Sequence, residues 1–163
     1  MSQTFTIRSM HSADNQAIKQ ILQQCLQDAG LAIPGTAFFD PQLDTLAEYY
    51  QRSPKSAYWV AENNAGKIVG GCGYGSVSAD PAVAELQKLY LTPAARGLGL
   101  AKALLHLTEG AAKADGYRQL YVVTDTKLPV ANVLYQHQGF TQLAHALPGE
   151  PHDGCDTWYI KDL

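Results

Sequence analysis

The amino-acid sequence predicts a mixed α/β (α+β) fold, with helices flanking a mostly antiparallel central sheet. Apolar residues recur with a period of two in some segments and with a helical period in others. The predicted order, β-α-α-β-β-β-α-β-α-β-β, has too many consecutive strands for a doubly wound parallel sheet. The 163 residues are 46% hydrophobic and 17% charged, which is typical of a soluble globular protein. We therefore expect residues 1–163 to form one domain.

The N-terminal third predicts a strand and two helices. Residues 4–9 alternate between polar and apolar side chains, which predicts a strand. Residues 12–30 predict a helix, with Ser12 or Asp14 as its cap and Gly30 at its end. A loop rich in apolar residues follows, and residues 43–52 predict a second, shorter helix.

The middle of the chain predicts three strands and a helix. Residues 57–62 and 67–77 flank the sequence NNAG, a strong hairpin signal. Residues 84–91 alternate and precede Pro93, which predicts a strand that ends there. A helix is expected from near Arg96 to about Asp115, with Leu98, Leu104 and Leu105 on one face.

The C-terminal third predicts strands at residues 116–125, 140–147 and 155–163, with one further helix at residues 129–138. Gly139 marks the end of that helix.

Residues 92–105, TPAARGLGLAKALL, predict an anion site. The first turn of a helix has unpaired N–H donors and a partial positive charge, so it attracts phosphate. Gly97 and Gly99 remove side chains that would keep a bulky anion away, and Arg96 adds charge. A Walker loop is absent, and a dinucleotide fingerprint would need GxGxxG after the first strand of a βαβ unit. The third interpretation is that this segment binds the pyrophosphate of coenzyme A.

At this point the chain resembles the GNAT family of N-acetyltransferases. The sequence RGLGLA, residues 96–101, matches the family motif R/Q-x-x-G-x-G/A. The preceding LQKLYLTP resembles the strand before that motif, and ANVLYQHQGF resembles a later family segment. The order of elements also matches, so the resemblance covers nearly the whole chain. It implies acetyl-CoA as co-substrate, and a homodimer would agree with what is common on this scaffold.

The resemblance implies which residues bind the cofactor. In the family the fourth strand splays from the fifth, and the pantetheine arm pairs with its backbone. The expected contacts are the strand residues Leu89, Tyr90 and Leu91, the loop and helix residues Arg96, Gly97, Leu98, Gly99, Leu100 and Ala101, and Asn132. An N–H near Leu91 would face the thioester oxygen, and the N–H groups of residues 96–101 would hold the pyrophosphate.

Two residues are implied as catalytic. Tyr135 matches the family's usual general acid for the thiolate, a role that a phenol with a pKa of about 10 can fill at neutral pH. The alternative for Tyr135 is an aromatic residue that only packs in the core. Glu85 lies where relatives often carry a glutamate acting as base through water; on a regular strand it would share a face with Gln87 and Leu89. A solvated strand-end carboxylate is the alternative for Glu85. His145 and His152 are further candidates for the base, because an imidazole titrates in the right range.

The predicted function is acetyl transfer to the amine of a small molecule or amino acid, by direct attack in a ternary complex. The alternatives are a non-catalytic acyl-CoA sensor and an O-acetyltransferase. The acceptor pocket is expected to be built by the segment between the first two helices, the GYG strand and the C-terminal tail, residues 155–163. Five aromatic residues could line it, with packing as the alternative for each: Phe38, Phe39, Tyr49, Tyr50 and Tyr74.

Composition excludes several classes of protein. A net charge of −3 gives no electrostatic footprint for nucleic acid, and no apolar run approaches the length of a membrane span. Cys25, Cys72 and Cys155 form no CxxC pair, so neither a disulfide framework nor a metal site is expected, although His152 and Cys155 have a ligand-like spacing. We expect a cytoplasmic protein.

Overall fold

The computed structural model describes residues 3–149 and 153–163. The strands are β1 (Thr6–Ser9), β2 (Ala57–Glu62), β3 (Ile68–Ser76), β4 (Val83–Leu91), β5 (Gln119–Thr124), β6 (Thr141–Leu143) and β7 (Thr157–Asp162). The helices are α1 (Asn15–Asp28), α2 (Leu46–Arg52), α3 (Leu100–Ala114) and α4 (Pro129–His137). The predicted order of strands and helices is confirmed.

The strands of the described residues form one seven-stranded sheet in the order β1-β2-β3-β4-β5-β7-β6. All neighbouring pairs are antiparallel except β4 and β5, which are parallel. A mixed, mostly antiparallel sheet is therefore confirmed. The parallel pair lies at the centre of the sheet, and its two strands are linked through α3.

Helices cover both faces of the sheet. In β2, Tyr58 and Val60 pack in one core cluster with residues of α1 and α2, such as Ile18 and Leu46. Ala61 packs in the other main cluster, which contains the buried leucines of α3. Because successive side chains of a strand point to opposite faces, α1 and α2 lie on one side of the sheet and α3 on the other.

Two elements differ most from the sequence-based prediction. Helix α3 begins at Leu100 and not near Arg96, because Arg96 is extended and Gly99 has a left-handed backbone with φ +81°. Strand β6 ends at Leu143 and does not continue to residue 147. It pairs with residues 158–160 of β7, which begins only at Thr157, so residues further along have no strand to pair with.

A β-bulge interrupts β4 in its middle. The register against β3 shifts between Gly71 and Gly73, so that Lys88 and Leu89 together oppose one residue of β3. Lys88 has φ +53°, which is uncommon for a residue other than glycine. The bulge places Leu89 against the α3 core together with Leu86. The expectation that Leu89 shares a face with Glu85 is thus wrong, because it assumed an uninterrupted strand.

Glycines in β3 make room for the side chain that contacts this bulge. Tyr58 donates a hydrogen bond from its hydroxyl to the carbonyl of Lys88, at 2.7 Å. A Cβ at Gly71 would lie 2.6 Å from the Tyr58 ring, and one at Gly73 would lie 2.3 Å from the carbonyl oxygen of Ala57. The glycines therefore allow the Tyr58 ring to cross β3 and reach β4.

We expect Gly73→Ala to lower the free energy of unfolding by about 3 kcal/mol, because the new methyl group overlaps backbone that cannot yield easily. Urea denaturation measures this change. Gly110→Ala is the matched control: a Cβ there meets nothing within 4 Å, and alanine is favoured over glycine inside a helix. The control should be unchanged or more stable. Equal stabilities of the two variants would contradict the packing described for β3.

Candidate active site

A groove runs between the end of β4 and the starts of α3 and α4. Its volume is about 480 Å³, within the range typical of small-molecule sites. The lining includes eight of the ten residues that the sequence analysis assigned to the cofactor: Leu89, Tyr90, Leu91, Arg96, Gly97, Gly99, Leu100 and Ala101. The structure thus brings the two separate predicted segments, strand end and glycine loop, to one surface.

The floor of the groove at α3 is a cradle of backbone N–H groups. The first intrahelical bond runs from the N–H of Ala103 to the carbonyl of Gly99, so the N–H groups of residues 100–102 precede the helical pattern. Gly97 and Gly99 have φ +75° and +81°, and a Cβ at either would meet nothing within 4 Å. Space that side chains would fill is therefore open, as a bulky anion requires.

Three cations line the groove: Arg96, Lys102 and Lys127. Arg96 is held in place, since its Nη2 donates to the carbonyl of Leu91 at 3.1 Å and lies 3.3 Å from the sulfur of Cys25. Burial raises the pKa of the Cys25 thiol, and the nearby Arg96 charge opposes part of that rise. Neither Arg96 nor Cys25 can turn away without losing this contact.

The central parallel strands separate just beside the groove. β4 and β5 pair only over residues 83–85 and 119–121, and β4 then continues to Leu91 without β5 beside it. The N–H of Thr92 donates to Val69 in β3. Because N–H groups alternate in direction along a strand, the N–H of Leu91 points to the side that β5 has left. The splay that the family resemblance implied is therefore present.

The gap between β4 and β5 holds a small chamber of about 70 Å³. Its walls combine residues 85–90 of β4 with residues 122–124 of β5, and α4 closes it from one side. The chamber shares four residues with the groove: Leu89, Tyr90, Leu128 and Ala131. The two spaces are therefore adjacent.

Tyr135 projects from α4 into the chamber wall and is only 5% exposed. Its ring packs edge-on against Phe140, with centroids 5.4 Å apart. Burial raises the pKa of the Tyr135 phenol above its ordinary value, with smaller contributions from Cys72, Tyr90 and Tyr159. The hydroxyl therefore keeps its proton at neutral pH and can donate it.

Glu85 also lines the chamber and is 5% exposed. The side-chain amide of Gln87 donates to Glu85 Oε1 at 2.8 Å, and the amide oxygen accepts from the Tyr50 hydroxyl at 2.6 Å. Tyr50 thus fixes which end of the Gln87 amide faces the carboxylate. Glu85 is buried among polar partners, so the alternative of a solvated strand-end carboxylate is wrong.

Two residues assigned to the cofactor lie elsewhere. Asn132 donates to the carbonyls of Asp125 and Leu128, both at 2.9 Å, and accepts from the Tyr159 hydroxyl at 2.7 Å. Its amide thus ties α4 to β5 and β7 and does not line the groove. Leu98 is 51% exposed and also lies outside the lining.

The predicted aromatic acceptor pocket is not formed by the expected residues. None of the five aromatic residues lines the chamber. Tyr74 donates to Asp115 and Ala111 on the α3 side of the sheet, and Phe39 is 59% exposed. Tyr50 does not line the chamber, but its hydroxyl donates a hydrogen bond to Gln87, which does.

Two of the segments expected around the acceptor pocket do line the chamber, through residues that the sequence analysis did not name: Thr36 and Ala37 between the first two helices, and Cys155 in the tail. No motif marks them, because a backbone contact between two distant loops, the N–H of Gly154 and the carbonyl of Gly35, brings them together. His145 is exposed and lines neither space, and His152 lies outside the described residues.

Over residues 3–149 and 153–163, no three histidine, cysteine, aspartate or glutamate side chains are grouped as a metal site would require. Within the same part of the chain, no helix has the length and apolar character needed to cross a membrane.

Comparison with known proteins gives one consistent family. The sequence model of one protein family, the acetyltransferase (GNAT) domain, matches residues 54–142. The chain is 36% identical to the uncharacterized N-acetyltransferase YjgM of Escherichia coli K12, over 99% of this chain and 96% of that protein.

Solved structures of acetyltransferases have the same fold. A GNAT acetyltransferase from Staphylococcus aureus Mu50 superposes with a TM-score of 0.85 at 20% identity, covering 98% of this chain and 99% of that one. A phosphinothricin acetyltransferase from Sinorhizobium meliloti, solved with acetyl-CoA, superposes with a TM-score of 0.75 at 24% identity. The match covers 98% of this chain and 89% of that one.

Proposed function

Since the chain belongs to the acetyltransferase (GNAT) family, we propose that it transfers the acetyl group of acetyl-CoA to the amine of a small molecule, by direct attack in a ternary complex. We also propose that residues 1–163 act as one domain. The observation that carries the proposal is the adjacency of two spaces: a groove with an anion cradle shares four lining residues with a chamber whose walls include Tyr135 and Glu85.

The groove fits coenzyme A in its parts. The N–H groups at the start of α3, with Gly97 and Gly99, suit the pyrophosphate, and Arg96, Lys102 and Lys127 supply positive charge beside it. The apolar stretch formed by Leu89, Ala131 and Leu134 suits the pantetheine arm, which would lie along the open edge of β4. Acetyl-CoA supplies an activated thioester.

The proposed reaction conserves atoms and charge. Glu85 takes a proton from the acceptor ammonium, directly or through water, and the free amine attacks the thioester carbonyl. The N–H of Leu91 would donate to the oxygen that gains negative charge. A C–N bond forms and the C–S bond breaks; the leaving thiolate takes the proton of Tyr135, and the nitrogen's second proton restores the phenol. The net products are the amide, the free thiol and one proton, which Glu85 passes to solvent.

Thiol release from acetyl-CoA, measured across a panel of amines, tests the proposed function. Release that depends on the amine supports it. Tight binding of acetyl-CoA without release for any amine would favour the acyl-CoA sensor, and release only with alcohols would favour an O-acetyltransferase.

We expect Glu85→Gln to lower kcat/KM at pH 7 by about 100-fold and to remove the acidic limb of the pH profile, because an amide cannot take a proton. Glu109→Gln is the matched control, since Glu109 pairs with Lys161 away from the chamber. Rates measured from pH 6 to pH 9 make the comparison. A profile of Glu85→Gln that has the same shape as the wild type would exclude Glu85 as the base.

A further inference from the structure

The chamber described above is large enough for only the reacting end of an acceptor. Its volume of about 70 Å³ is well below the roughly 300–1,000 Å³ of pockets that enclose a whole small molecule. Thr36 and Cys155 close its outer side, where the two loops meet at Gly35 and Gly154. A substituent on the carbon that bears the amine would therefore lie inside the chamber with the amine.

Negative charge dominates this space. Glu85 lies on its wall, buried and oriented by Gln87. Asp125 is 4% exposed and does not line the chamber, but its negative charge affects the thiol of Cys155, which does line it. Burial and the carboxylates of Asp125 and Asp156 together raise the pKa of the Cys155 thiol to about 11. Burial disfavours any lone charge, but with the Glu85 carboxylate in the wall a cation is favoured over a second anion.

The one cation in the wall is already neutralised. Lys88 is the only lysine, arginine or histidine among the described residues that line the chamber. Its ammonium lies 2.6 Å from a carboxylate oxygen of Asp40, and the two side chains are 4% and 13% exposed. This buried pair leaves Lys88 without charge to offer a ligand carboxylate.

From this arrangement we propose that the acceptor is a primary amine without a carboxylate on the carbon that bears the nitrogen, and so not an α-amino acid. The inference rests on the proposed function. An ammonium group entering the chamber meets the Glu85 carboxylate. An α-carboxylate would be buried beside Glu85 with no counter-charge, which is strongly unfavourable.

Matched substrate pairs test the charge of the chamber directly. Tyramine and tyrosine, histamine and histidine, and tryptamine and tryptophan each differ only by the α-carboxylate, and each has one primary amine. With thiol release from acetyl-CoA as the readout, we expect kcat/KM to be on the order of 100-fold higher for the decarboxylated member of every pair. Tyrosine methyl ester should recover most of the loss, because it keeps the bulk at that carbon and removes the charge.

A variant that frees the lysine provides an independent measurement. Asp40→Asn removes the partner of Lys88, so kcat/KM for tyrosine should rise about tenfold relative to tyramine. Asp44→Asn is the matched control, since its partner Lys19 lies on the surface and outside the chamber. The ratio should stay at the wild-type value in the control.

The outcomes separate this inference from the proposed function. Equal or better turnover of α-amino acids would overturn the acceptor class and leave the acetyltransferase function standing. A kcat/KM for tyrosine methyl ester as low as that for tyrosine would also overturn it, because the size of the substituent and not its charge would then determine turnover. No thiol release from any compound, with acetyl-CoA bound, would overturn the proposed function and this inference together.

Discussion

Replacing Tyr135 with phenylalanine is expected to lower kcat by about 10²- to 10³-fold, while the Kd for acetyl-CoA stays within about threefold. The ring remains and keeps its contact with Phe140, so the packing of α4 should survive. What is lost is one hydroxyl whose pKa is held above its ordinary value by burial. In the proposed mechanism this hydroxyl supplies the proton for the leaving thiolate. Steady-state kinetics and calorimetry measure the two quantities separately.

Tyr117→Phe is the matched control for this change. Tyr117 is also a buried tyrosine, and its hydroxyl donates to the carbonyl of Lys55, away from the groove and the chamber. The control should lose some stability, about 1 kcal/mol, and keep its kcat within a few fold. If Tyr135→Phe behaves like the control, Tyr135 is not the proton donor.

Gly99→Val is expected to weaken acetyl-CoA binding by at least about 100-fold. A valine at φ +81° is strained, by roughly 1–2 kcal/mol, and its branched side chain would enter the space above the first turn of α3. That space is open in the protein, since a Cβ there meets nothing within 4 Å. The loss of affinity would thus come from displacing the pyrophosphate. Titration calorimetry with coenzyme A measures it.

The chain offers a close control in Gly116→Val. Gly116 follows the other end of α3, has φ +96°, and a Cβ there also meets nothing within 4 Å. The same backbone strain should therefore lower the free energy of unfolding by a similar amount in both variants. Only Gly99→Val should change the Kd. If both variants bind coenzyme A as the wild type does, the cradle at α3 does not hold the pyrophosphate.

The order of the elements could be predicted from local patterns. The hairpin around Asn63–Gly66 follows from the residues of its turn, and the apolar face of α3 follows from the helical period of its apolar residues. Both patterns extend over a few residues of the chain. The start of α3 could not be placed, because Ala95, Arg96 and Leu98 are compatible with a helix, and the sequence does not show that the backbone is left-handed at both Gly97 and Gly99. The length of β6 depends on where its partner β7 begins.

The candidate site was predictable where a motif names its residues. Residues 96–101 and Tyr135 belong to motifs, and the groove and chamber contain all of them except Leu98. Asn132 shows the limit, since the same motif position supports the start of α4 here. Gln87 carries no motif, and its function as an orienting partner of Glu85 depends on Tyr50, which is distant in sequence.

The sequence by itself determined the family and the alternation of strands and helices, because both depend on residues near each other in the chain. Only the tertiary structure decided the bulge at Lys88, which turns Leu89 away from the face of Glu85. It alone also decided the charge of the chamber, since the pairing of Lys88 with Asp40 joins residues far apart in sequence. Electrostatic pairing of this kind depends on distance in space, and no local pattern records it.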